Sequence, residues 1–110
     1  MFDLFRWDTG KAVHVNDLEQ LGPVELIDIR EPYEFRSEAL KTAKNIPMAD
    51  LLGAPDKYLK QEKTYYIMCQ SGARSSRACS ILRRRGYDVV NVSGGMGSYV
   101  GTRRKWLSQS

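Results

Sequence analysis

The run Tyr65-Tyr66-Ile67-Met68-Cys69-Gln70-Ser71-Gly72-Ala73-Arg74-Ser75-Ser76 sets a cysteine between an apolar stretch and a short glycine-containing loop. The apolar stretch is β-prone, and Arg74 and Ser75 open a helical pattern. A cysteine at such a strand-to-helix junction faces several backbone N–H groups and the positive end of the helix dipole. Both favour a thiolate, so the thiol should ionise below its free value of about 8.5. The same cradle suits an anion bound at the sulfur or attached to it. The chemistry predicted is nucleophilic cysteine chemistry on an anionic substrate. Gln70, Ser71, Gly72, Ala73, Arg74 and Ser75 are expected to act mainly through their N–H groups. The Ser71 and Ser75 hydroxyls serve either as extra donors or as helix caps.

Arg74 offers a planar fork that can grip two oxygens of an anion, or a salt bridge that shapes the loop. Asp28, Arg30 and Glu34 follow a second apolar run, at the strand end where α/β sites form. They read as a charged network anchoring the neighbouring loop, with a catalytic acid or base as the alternative. Cys79 stands beside the apolar stripe Ala78, Ile81, Leu82 and reads as core filler rather than a resolving thiol. His14, the single histidine, falls in the first predicted strand, away from Cys69. Two cysteines and one scattered histidine make no metal site, and no cofactor is expected.

Short strands alternate with helices, the pattern of an α/β domain with a mainly parallel sheet. Strands are predicted over residues 12–15, 24–29, 43–46, 64–68 and 89–92. Asn16 or Asp17 should cap a helix through Leu21, stopped by Gly22-Pro23. Further helices are expected over 31–37, over 50–60 with a break at Gly53-Ala54-Pro55, and over 75–85. The last of these carries Arg83-Arg84-Arg85 at its C-terminus and Gly86 as a left-handed cap. Residues 96–107 should be helical with a break near Gly101, leaving Arg103-Arg104-Lys105 as exposed charge.

A chain of 110 residues, 42% hydrophobic and 27% charged, suits one domain over residues 1–110 with one modest core. No apolar run nears the ~18 residues of a membrane span. The first residues lack the features of a secretory signal. A cytoplasmic location with reduced thiols is expected. The net charge of +4 favours anionic small molecules or acidic proteins, with neither nucleic acid nor membrane indicated.

Cys69-x-x-Gly72-x-Arg74-Ser75 resembles the active-site loop of the rhodanese family of sulfurtransferases. Asp28-x-Arg30-x-x-x-Glu34-Phe35, Asn45-Ile46-Pro47 and Val92-Ser93-Gly94-Gly95-Met96 extend the likeness in the same order. The resemblance implies a single rhodanese-like domain, a five-stranded, mainly parallel sheet flanked by helices with Cys69 above a central strand. It implies sulfane-sulfur transfer from a thiosulfate-like donor, through a Cys69 persulfide, to cyanide or a thiol such as glutathione or a thioredoxin-like protein. It also favours anion binding for Arg74. A persulfide relay or binding module is the alternative. A cysteine phosphatase fits less well, because its loop carries one more residue between Cys and Arg. The family's Gly-His-Ile-x-Gly segment is replaced by Glu38-Ala39-Leu40-Lys41-Thr42, which implies a different path or partner surface there. Ser98-Tyr99 stands in place of the common Ala-Trp pair, keeping an aromatic packer.

Overall fold

The computed structural model describes residues 11–105. Five strands form one parallel sheet: β1 (Ala12–His14), β2 (Glu25–Asp28), β4 (Lys44–Asn45), β5 (Thr64–Met68) and β6 (Asp88–Ser93), in the order β1-β6-β5-β2-β4. β5 is therefore central, with Asp28 in register with Met68 on one side and Ile67 with Asn91 on the other. The helices are α1 (Pro32–Ser37), α2 (Met48–Gly53), α3 (Pro55–Tyr58), α4 (Ala73–Arg84) and the single turn α5 (Gly95–Ser98). Among the described residues no helix is long and apolar enough to cross a membrane.

The two-residue period of a strand sorts the core into two halves. Tyr65, Ile67 and Cys69 pack with Ile27, Ile29 and Val89 against Leu51, Leu59, Ala78, Cys79 and Leu82. Leu26, Met68 and Val92 face the other way, onto Val15, Leu18, Leu40, Met96 and Tyr99. Each fully buried aliphatic side chain contributes about 1.5–3 kcal/mol. Cys69 and the N-terminus of α4 are thus placed on one face of the sheet at the carboxyl end of its middle strand, the edge where open α/β sheets build sites.

Helix α4 ends in a Schellman motif. The Gly86 and Tyr87 N–H groups donate to the carbonyls of Arg83 and Leu82, and Gly86 has φ 93°, as the Arg-Arg-Arg-Gly stop signal requires. The break at Ala54-Pro55 also occurs where expected, between α2 and α3.

Three local expectations need correction. Residues Val15–Leu21 form a 3₁₀ helix capped by His14, whose Nδ1 accepts the Asn16 N–H at 3.2 Å. Asn16 instead reaches across the molecule, donating to the Ser98 carbonyl and accepting the Val100 N–H. Of the C-terminal helix predicted over 96–107, residues 96–105 hold only the turn α5, and residues 106 and 107 lie outside the described residues. Tyr99 leaves helical geometry at φ −71°, ψ 128°, because its side chain is drawn into the core and its hydroxyl donates to Glu19 and accepts the Arg103 N–H. Arg104 and Lys105 then form β7, antiparallel to β3 (Ala39–Leu40), a strand pair that sequence reading missed. The basic cluster is therefore not a free exposed tail. Arg104 pairs with Glu38 and lies over the Tyr99 ring.

Candidate active site

Cys69 is fully buried at the end of β5. Its sulfur accepts the Gly72 N–H at 3.1 Å and the Ser75 N–H at 3.4 Å, and the Ser75 hydroxyl lies 3.4 Å away. Burial pushes the thiol up, but the Ser75 hydroxyl and the N–H groups of Ser75, Gly72 and Ser71 outweigh it, so Cys69 ionises below the ordinary cysteine value. Charge on the sulfur is what these donors are arranged to hold. The contrast with Cys79 isolates the cause. That thiol is also buried, but lacking such a cradle it is pushed up to about 12. The structure places it on α4 in the same buried cluster as Cys69.

The loop turns this tightly because Gly72, at φ 102°, caps α4 in the left-handed region. The Ser75 hydroxyl sits between two acceptors and has one proton to give, either to the Gly72 carbonyl at 3.2 Å or to the sulfur. Not every expected donor points at the sulfur: the Ala73 N–H goes to the Ser71 hydroxyl at 3.4 Å. Gln70 contributes through its side chain as well as its backbone. Its Oε1 accepts from Arg30 Nη1 at 3.1 Å.

Asp28, Arg30 and Glu34, read together from sequence, separate into two pairs. Asp28 and Arg30 are buried and joined by Nε and Nη2 bonds of 2.9–3.1 Å. Arg30 also donates to the Glu38 carbonyl at 2.7 Å. Its guanidinium therefore ties β2 to the cysteine loop and to the stretch before β3. Removal of either charge would strand the other away from water, so the pair acts as an anchor rather than as a net stabiliser. Asn45 Nδ2 braces the same corner through the Asp28 and Arg30 carbonyls.

Glu34 instead holds Arg74. The two carboxylate oxygens accept from Nη2 and Nη1, each at 3.0 Å, and Glu34 also accepts the Glu31 N–H at 2.9 Å. The Arg74 bonds keep the Glu34 carboxyl below its ordinary 4.5. In this conformation the Arg74 fork is satisfied by the protein, the loop-shaping arrangement that sequence left as its alternative.

The part of the site missed from sequence is the turn after β6. The Met96 N–H donates to the Cys69 carbonyl at 2.9 Å and the Gly97 N–H to the Gln70 carbonyl at 2.8 Å. The signal was the glycine pair Gly94-Gly95 directly after an apolar strand, a pattern of close backbone approach.

A parallel α/β sheet with a buried, N–H-cradled cysteine at the carboxyl end of its central strand defines a class of proteins built to hold a charged sulfur. Residues 12–102 match the rhodanese-like domain family, and the chain belongs to that family. It is 38% identical over 78 residues to the putative sulfurtransferase YtwF of Bacillus subtilis (strain 168), covering 69% of this chain and 73% of that protein. It is 36% identical over 78 residues to the uncharacterized protein YqhL of the same organism, covering 70% of this chain and only 61% of that relative's length. The crystal structure of SSP1007 from Staphylococcus saprophyticus superposes with a TM-score of 0.73 at 31% identity, covering 82% of this chain and 93% of that one. The family and its sulfurtransferase-named members support a sulfur-transfer role.

Proposed function

We propose that this chain is a rhodanese-type sulfurtransferase with Cys69 as its nucleophile. The observation that carries this reading is the convergence of the Gly72 and Ser75 N–H groups and the Ser75 hydroxyl on one buried sulfur. The Cys69 thiolate attacks the outer sulfur of a donor such as thiosulfate. The donor's S–S bond breaks, and sulfite leaves with the electron pair. The enzyme then carries a Cys69 persulfide whose terminal charge the loop N–H groups offset. A cyanide ion or a thiolate next attacks that terminal sulfur, forming thiocyanate or a new persulfide and restoring the Cys69 thiolate. Two covalent half-reactions require ping-pong kinetics. Glutathione or a thioredoxin-like protein is the acceptor class we assign.

A second reading has its own observation. Glu34 occupies the Arg74 fork, which lowers the site's appetite for a small dianion and favours persulfide delivered by a partner protein. One experiment addresses both. The reduced protein is mixed with thiosulfate and its intact mass recorded. A gain of one sulfur atom, lost with cyanide and absent in Cys69→Ser, is expected. No gain would sink thiosulfate as donor and leave the relay. A gain that persists in Cys69→Ser would overturn the assignment of the nucleophile.

A further inference from the structure

The glycine turn behind the cysteine loop has a geometry that its sequence position alone does not demand. The carbonyls of Cys69 and Gln70 are both taken by backbone donors of that turn, Met96 N–H at 2.9 Å and Gly97 N–H at 2.8 Å. All peptide bonds among the described residues are trans. In a trans peptide the carbonyl and the following N–H point in opposite directions. Holding the Cys69 and Gln70 carbonyls toward α5 therefore turns the Gln70 and Ser71 N–H groups away from it, and fixes the stretch whose next N–H, that of Gly72, donates to the Cys69 sulfur at 3.1 Å.

Only a residue without a side chain permits this approach. Gly95 has φ 58°, and a Cβ there would overlap the Cys69 carbonyl oxygen and come within 2.7 Å of the Gln70 carbonyl carbon. Both are backbone atoms that cannot swing aside as a flexible side chain could. At Gly97 a Cβ would meet the Gln70 carbonyl oxygen at 3.1 Å, a milder conflict. The cysteine loop is thus held on two sides. Arg30 grips the Gln70 side chain, and the turn grips the backbone.

We propose that the Gly94–Gly97 turn is a backbone clamp that presets the peptide orientations of the cysteine loop, with Gly95 as its positioning residue. The inference rests on the reading of Cys69 as a thiolate nucleophile. The turn touches neither the sulfur nor a substrate. It acts through the loop, and its effect belongs to the unliganded protein before any donor arrives. Other ionisable groups bear on the same sulfur. Arg74 and Cys79 on α4 interact with it electrostatically. The buried Asp28–Arg30 pair reaches the loop from β2, and His14 lies against Gly94. None of these changes in the variants proposed.

The test measures how the rate of Cys69 alkylation by iodoacetamide depends on pH in the full chain, with the modified residue located by peptide mass. Gly95→Ala is expected to raise the midpoint by about one pH unit, a tenfold loss of thiolate below it. Gly97→Ala should move it the same way by less. Gly86→Ala serves as the strain control. Gly86 also has positive φ, 93°, but its Cβ would meet only the Gln61 side chain at 3.4 Å. That variant should lose thermal stability with no change in midpoint. A folded Gly95→Ala with the wild-type midpoint overturns the clamp. Should Gly95→Ala not fold, an unshifted midpoint in Gly97→Ala overturns it instead. A wild-type midpoint at the free-thiol value of about 8.5 would sink the thiolate reading itself, a result distinct from failure of the clamp alone.

Discussion

At the scale of single residues, Glu34 and Arg74 form the pair whose partnership sequence did not reveal. The carboxylate meets both η nitrogens at 3.0 Å, so an incoming anion must share or displace it. Arg74→Ala is expected to weaken thiosulfate binding more than it slows the attack of Cys69 on a neutral disulfide. Glu34→Gln should tighten thiosulfate binding by releasing positive charge. Steady-state KM and single-turnover rates separate these effects, and unchanged KM in both variants would leave Arg74 a purely structural residue. The pair also sets a pH dependence with a definite sign. Glu34 ionises below its ordinary 4.5, so its contribution to stability is complete above that value. It is lost as pH falls through the lowered value. The stability gap between wild type and Glu34→Gln should therefore be flat at neutral pH and close only in acid. A gap that closes near neutrality would contradict this.

At the scale of elements, the strand–loop–helix unit from β5 to α4 makes the cradle, and its sharpest bend is Gly72. At φ 102° an alanine there meets left-handed strain of about 1–2 kcal/mol. Its Cβ would also sit 3.2 Å from the Gly94 backbone nitrogen, pressing the loop against the clamp. Gly72→Ala is expected to lower the urea midpoint and to slow sulfur transfer by more than the stability loss alone accounts for. Equal activity at saturating donor would show that the loop tolerates a different path. The β3–β7 pair is a contrasting element. It lies outside the five-stranded sheet, and the bond from Arg30 to the Glu38 carbonyl joins the stretch leading into it to the site.

At the scale of the whole molecule, two core halves share one sheet. Ile67 and Met68 are neighbours in the central strand, each fully buried, and they face opposite halves. A shared backbone couples the halves, so unfolding should be a single cooperative transition. Ile67→Ala and Met68→Ala are each expected to cost about 2–5 kcal/mol in denaturant titration. Far-ultraviolet and near-ultraviolet signals should keep coincident midpoints in both variants. Separated midpoints would show that one half melts without the other.

Patterns with short range were legible in the sequence. The β5 strand over 64–68 was placed to the residue, because Thr64-Tyr65-Tyr66-Ile67-Met68 has both β-propensity and hydrophobicity. The 12-residue helix α4 was found within two residues at its start and one at its end, through its apolar stripe and its Gly86 stop. The cysteine, its glycine and its electrostatic setting followed from the same local order. What sequence could not decide were contacts between residues distant along the chain. The Glu34–Arg74 pair spans 40 positions, and a charged residue carries no local mark of its partner. β3 and β7 are two residues each, too short for any period to show. Within the described residues the expected helix from Met96 stops at Ser98 because Tyr99 is buried across the fold against Glu19, 80 positions away, and that burial outweighs a weak local preference. Local order thus determined where the cysteine and its glycine turn stand in the chain, and tertiary packing decided which groups hold that loop in place.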